Sequence, residues 1–457
     1  MLKRFLGVFL CAAMVFALAG CANTTKSGST QSQTEDENKV IKVGVLANWV
    51  DWVKEKAKAY EAVHKGTKVE VIELVNNSDL YSKTTMMMQS EQTAPDVITE
   101  DGFMVKADAA GGYLMPLTDV LAGWEESKQF APTIMEGGKG VDGVQYALPL
   151  STDVQGIWYN KQMFAEAGIS VPFEPKSWND ILAAAKKLKA AVTTDGFVPL
   201  YLYASKTYPE ETSMRTFQTL YFGTGEDAEL YDMNAEKWVV DKEKLLDVFR
   251  FVDSVYNTEK VGPTPSFAAQ SGIADLLQSD YMKNKKVGMY LSGSWESSNW
   301  AKGKSHEWAD GLKVWGFAKI PTKDGETPGY TTMSGGWTWA IPSKANNKEG
   351  GIDFLKFVCN KDNQLEYALQ TGNLAVRNDV MNDSSYLSQE MAVTKESNEM
   401  LQYAHFRPSV DGYSQVTTLY TDCTESIAIG AATPEQAVDT FQSELTRMVG
   451  EDKVTVK

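Results

Sequence analysis

Histidine and cysteine are scarce in this 457-residue chain, which carries three of the first and four of the second. His64, His306 and His405 stand far apart, none spaced with a second ligand in a metal motif, so no transition-metal site is expected. Cys359 in FLKFVCNK and Cys423 in TLYTDCTES lie in helix-like surroundings, where a thiol behaves as a small buried hydrophobe. No disulfide framework is visible. The chain also lacks a Gly-x-Ser-x-Gly elbow, a phosphate-cradling loop, a short-period repeat and a Pro/Gly linker. No cofactor is expected. Positive charge is in deficit, with 44 Lys+Arg against 60 Asp+Glu and a net charge of −16. Such a chain repels nucleic acid and anionic lipid and stays soluble.

The amino terminus has its own grammar. Lys3 and Arg4 precede an uncharged stretch, Phe5 to Ala19, that ends in small residues, the layout of a secretory signal peptide. The stretch falls short of the roughly 20 residues that a membrane-spanning helix needs. Leu18-Ala19-Gly20-Cys21 resembles the bacterial lipobox, which implies acylation of Cys21 on sulfur and cleavage before it. One acyl chain binds membranes marginally and two bind stably. Residues 22–38 are dominated by Ser, Thr, Gln and acidic residues and have little to bury, so they read as a disordered tether. Loss of residues 1–20 removes Lys3, Arg4 and no acid, which leaves 42 Lys+Arg against 60 Asp+Glu and a net charge of −18. The remainder is too long for one core, so two or more domains are expected.

Past the tether, VIKVGVLAN (40–48) reads as a strand, and Val50, Val53, Ala57, Tyr60 and Val63 recur at helical spacing. KVEVIEL (68–74) alternates as a strand, SDLYSKTTMMMQSE suits a helix, and PDVITE (95–100) reads as the next strand. This alternation predicts an α/β layer around a largely parallel sheet. Ser177 with Asp180 starts a helix whose face carries Ile181, Ala184, Ala185 and Leu188, and Thr433 with Pro434 and Gln436 starts another that stops at Gly450.

The block YALPLSTDVQGIWYNKQMFAEAGI (146–169) resembles the family 1 extracellular solute-binding proteins of bacterial ABC transporters, the maltose-binding-protein-like group. APDVITEDG, NKKVGMYLSGSWESSNW (284–300), SGGWTWAIPSKANNKEGGIDFLKFV (334–358) and the Thr433 helix agree in order and spacing, over nearly all of 40–450. The resemblance implies a two-lobe, type II periplasmic-binding-protein-like α/β fold, each lobe a mostly parallel sheet flanked by helices, with a ligand held in the cleft between them. It implies a first lobe of 39–152 plus 328–376 and a second of 153–321 plus 377–457. Hinged closure over the ligand goes with it.

An aromatic face suits the C–H side of a pyranose, and polar groups suit its rim. Trp295 in SGSWE matches the place where relatives present a stacking Trp. Trp337 stands beside Gly335 and Gly336, where backbone can approach a ligand, although Trp339 shares its strand face and one of the pair suits a core. Trp49, with Asn48, follows the first strand's carboxyl end, where open α/β sheets bind ligands.

Carboxylates accept strong hydrogen bonds from sugar hydroxyls. Asp153 falls where relatives carry a ligand-contacting acid, and of Glu100 and Asp101, at the end of PDVITE, at least one is expected to face the cleft. Glu296 and Tyr413 complete the candidate set. Phe103-Met104 stands where the maltose-binding pattern has an Asp-Arg pair, so that pattern's sugar does not carry over. The function implied is a lipid-anchored extracytoplasmic receptor, a monomer, that captures a carbohydrate, expected to be an oligosaccharide, and delivers it to ABC permease subunits. The rival reading is a secreted glycoside hydrolase with paired carboxylates. A surface adhesin has no motif in its favour.

Overall fold

Ile41, Val43 and Val45 point to one face of the strand Val40–Leu46 and are at most 1% exposed; Gly44 and Leu46 on the other face are buried as well. A strand covered on both faces belongs inside a sheet flanked by helices. The helix Val50–Val63 supplies one cover, burying Val50, Trp52, Val53, Ala57 and Tyr60, while Val63 turns to solvent. The computed structural model describes residues 40–75, 80–389, 393–408, 410 and 412–457; the expected signal peptide, the expected lipidation site Cys21 and the expected tether lie outside the described residues.

Two main sheets organise those residues. The first runs in the order Lys68–Leu74, Val40–Leu46, Val97–Asp101, Trp337–Ala340, Ala147–Pro149, and the second Trp315–Ala318, Gln155–Asn160, Val287–Gly293, Val198–Tyr201. The expectation of mostly parallel sheets holds for the first three strands, which are parallel neighbours. It gives way beyond them: Trp337–Ala340 lies antiparallel to both its neighbours, and Gln155–Asn160 is antiparallel to both of its own. Both sheets are therefore mixed.

Each sheet has its own apolar core. Val43, Val97, Leu148, Trp339 and Phe354 belong to the first. In the second sheet, period-two alternation sends Ile157 to one cluster, with Phe217, Phe249 and Phe441, and Trp158 to another, with Tyr201, Tyr290, Trp300 and Trp315. The helices Trp178–Ala191 and Pro434–Val449 form with capping boxes at Ser177/Asp180 and Thr433/Gln436, where the side chains satisfy otherwise unpaired first-turn N–H groups. Phe217, Tyr420 and Phe441 stack in series at 4.3 and 5.2 Å. Cys359 and Cys423 are buried free thiols.

The chain leaves the first core after Leu150 and enters the second by Ile157. It returns at Ser334–Gly336 rather than at 322–327, because Tyr330–Met333 pairs with Ile320–Pro321 and Ala404–His405 and Met333 packs in the second core. The last departure comes later than 377. Arg377, 1% exposed, donates to the Cys359 carbonyl and pairs with Glu126 and Asp379, and Val380 and Tyr386 pack on Ala368 and Ala375. These contacts keep Arg377–Leu387 with the first core.

Candidate ligand-binding cleft

Where the two crossing strands meet, their hydroxyls and backbone lock together. The Thr152 hydroxyl lies 3.1 Å from that of Ser334, Ser334 donates to the Asp153 carbonyl at 2.7 Å, and the Gly335 N–H donates to Asp153 Oδ1 at 3.2 Å. A Cβ on Gly336 would overlap the Ser151 carbonyl, and its φ of 138° is one that L side chains rarely adopt. Glycine there lets the two crossings touch. Above this floor opens a cleft of about 630 Å³ between the lobes.

On the first lobe's wall, the turn Ala47–Trp49 presents Asn48 and Trp49. Trp49 packs edge-on against Trp337, centroids 5.3 Å apart, and is backed by Tyr367 at 6.2 Å. Asp101 ends its strand at the cleft and accepts from the Tyr81 hydroxyl at 3.0 Å. On the second lobe's wall, Trp295 leads the turn Ser294–Trp300. A Cβ at Gly293 would fall inside its ring, so glycine is what lets the indole fold back. Beneath that indole lies the Arg215 guanidinium, 4.9 Å from the ring centre and also 5.1 Å from the Tyr203 ring. Arg215 comes from a π-helical stretch, Thr212–Gln218, donates to Ser292 and Tyr290 at 2.9 and 3.2 Å, and approaches Glu296 at 3.6 Å and Glu211 at 3.9 Å.

A second guanidinium spans the lobes. Arg407 pairs with Glu210 of the second lobe and with Asp101 of the first at 3.4 Å, and lies 4.1 Å over the Phe103 ring. Burial lifts the Asp101 carboxyl above the usual range, against the pull of Arg407 and the Tyr81 hydrogen bond, and lifts Glu210 against the same Arg407. Asp153 is pushed up to about 6, by burial first, opposed by Arg407, aided by Asp101, and opposed again by the Gly335 N–H and Arg215. Its one-sided partnership leaves an acceptor facing the cleft.

Of the candidates from sequence, Asn48, Trp49, Asp101, Asp153, Trp295, Gly336 and Trp337 line this one cleft. Trp339 is fully buried, which settles the choice within that pair. Three candidates lie behind the walls. Glu100 is 2% exposed; in a strand its side chain takes the face opposite Asp101. Glu296 is spent on Ser292, Gln278 and Arg215. Tyr413 is buried against the second core, its hydroxyl accepting from Gln218 at 2.8 Å.

Sequence reasoning passed over Tyr81, Glu210, Arg215 and Arg407. The one signal for Arg215 was a lone charge in the otherwise uncharged run SMRTFQTLYF. A second hollow of about 510 Å³ lies around Arg377, Glu126 and Lys361, but its Arg377 is fully engaged in the bonds described above.

A family model of bacterial extracellular solute-binding proteins matches residues 46–365, and the chain belongs to that family. Among curated proteins it is similar to the sn-glycerol-3-phosphate-binding periplasmic protein UgpB of Rhizobium meliloti, 23% identical over 279 residues, 59% of this chain and 58% of the relative. The chain spans less than two thirds of the length of the curated relatives it matches. Among solved structures, an ABC transporter solute-binding protein of Thermotoga lettingae bound to alpha-D-tagatose has a TM-score of 0.75 at 22% identity, covering 90% of this chain and 100% of its own. Maltose-bound MalE3 of T. maritima has a TM-score of 0.75 at 19% identity over the same shares. At those identities the likeness establishes the fold: a two-lobe, type II sugar-binding-protein architecture. The family and these neighbours are binding proteins, not enzymes. Among the described residues no helix is long and apolar enough to cross a membrane, and no group of three or more His, Cys, Asp or Glu is arranged to hold a metal ion.

Proposed function

We propose that this chain is the lipid-anchored receptor of an ABC importer, capturing an uncharged saccharide between its lobes and delivering it to permease subunits. One observation carries the reading: three indoles from both lobes, Trp49, Trp337 and Trp295, border one cleft whose floor offers the Asp153 carboxylate. Flat apolar platforms with a few placed acceptors are what a ring of hydroxyls and C–H faces requires. A ligand that touches both lobes only when they approach favours the closed form, which gives delivery its signal. Asn48, Trp49, Asp101, Asp153, Trp295, Gly336 and Trp337 are the proposed contacts. Acylation at Cys21 and the 22–38 tether would hold a monomer at the outer face of the cytoplasmic membrane.

A thermal-shift screen of the purified protein against mono- and oligosaccharides tests this, since a ligand that binds only the folded state raises the midpoint by mass action. The expected result is a rise of several degrees with at least one sugar, recovered intact afterwards. Release of shorter sugars would favour the hydrolase, and no shift with any sugar would end the saccharide reading.

A further inference from the structure

The cleft is bordered by three cations among the described residues: Arg215, Arg407 and Lys304. Lys304 is exposed on the rim, where water screens it. The other two are largely covered and opposed. Arg215 faces Glu296 and Glu211, and Arg407 faces Asp101 and Glu210. Asp153 lies beside them as a surplus acid, close enough to Arg407 and Asp101 for each to act on its proton. A dianion placed among these groups would meet acids on every side and no guanidinium whose charge is unspent, and burial of a charge without an opposing one is costly.

Resting on the reading of this cleft as the ligand site, we propose that Arg407 is its specificity-determining residue: clamped between Asp101 and Glu210 across the two lobes, it has no charge left for a phosphate, so the cleft rejects phosphate esters and admits uncharged ligands. The same guanidinium stacks on Phe103 and opposes the rise that burial gives the Asp101 and Glu210 carboxyls. This sets the chain apart in charge from what the name of its phosphate-ester-binding relative would suggest.

The test frees Arg407 and asks whether it then takes a phosphate. Glycerol 3-phosphate and inorganic phosphate are titrated calorimetrically into the protein, into D101N/E210Q, and into D101N/E210Q/R407Q, with melting curves to establish that each is folded. The expected result is binding weaker than about 1 mM by the unaltered protein, at least about tenfold tighter binding by the double variant, and loss of that gain in the triple variant. Glu210→Gln alone, at a half-exposed acid, should move in the same direction and serves if the double variant does not fold. Tight binding of glycerol 3-phosphate by the unaltered protein overturns the proposal, as does a gain that survives removal of Arg407 or no gain at all. Because these titrations contain no sugar, failure of the saccharide screen would sink the proposed ligand class without altering their outcome.

Discussion

On the first lobe's wall, the strand Val97–Asp101 ends with Asp101 at the cleft and Glu100 behind it; on the second, the turn after Val287–Gly293 puts Trp295 at the cleft and Glu296 behind it. The two hidden acids lead different lives. Glu296 accepts from Ser292 and Gln278 and faces the Arg215 guanidinium that supports the Trp295 ring. Glu100 has one carboxyl oxygen with no hydrogen-bond partner among the described residues, and burial, with Asp108 and Asp101 nearby, raises its pKa well above the ordinary value. One wall sets an ion network beneath its indole. The other holds a carboxyl whose pKa burial raises, since a dry site disfavours the charged form. A platform that stacks on a ligand needs a fixed angle, and the wall that supplies such a network is the one carrying the isolated indole.

The largest expected effect falls on that indole. Trp295→Ala should weaken binding of the best sugar by about 1 to 3 kcal/mol, as truncation of a strong interface aromatic does, with a smaller loss of thermal stability because the ring is only partly buried. Calorimetric titration reads the first and a melting curve the second. An unchanged dissociation constant would remove Trp295 from the site and with it the contrast between the walls.

Next in size is Asp153, on the floor that both walls share. Asp153→Asn replaces a charged acceptor with a neutral one and should weaken sugar binding by about 1 to 2 kcal/mol. With its carboxyl titrating at about 6 in the folded protein, affinity for an uncharged ligand should fall as pH drops through 6. Stability moves oppositely. Between the ordinary carboxylate pKa and about 6 the folded state holds a proton that the unfolded state has lost, so the ligand-free protein loses stability as pH rises through that window. The asparagine variant should therefore melt higher than the parent at neutral pH. A lower midpoint would make Asp153 a structural residue instead of a binding one.

What the sequence disclosed and what it hid follow from the range of the interactions. Strand alternation in VIKVGVLAN and the capping pairs Ser177/Asp180 and Thr433/Gln436 are local, and the structure forms them. Trp295 and Asp153 came from likeness to a family pattern; no periodicity points to them. Glu100 and Asp101 could not be told apart because all five residues of their strand are buried, so no polar face marks the cleft side. Arg407 stayed hidden because its partners are 306 and 197 residues away, in different lobes. The antiparallel strand Trp337–Ala340 escaped for a like reason: it arrives from the other lobe, and its neighbours in the sheet are not its neighbours in the chain.

The smallest expected effect is also the one that separates the two hidden acids. Glu100→Gln exchanges a buried carboxyl whose pKa burial raises for an amide of the same shape, on the far side of its strand from the cleft. Sugar affinity should not change, and stability at neutral pH should stay within about 0.5 kcal/mol of the parent, as for a substitution that breaks no partnership. Were Glu100 ionised and paired as Glu296 is, removing its charge would cost the about 3 to 5 kcal/mol of a broken buried ion pair. A melting curve distinguishes these outcomes without a ligand, and a large loss would mean that Glu100, like Glu296, is a buried paired charge.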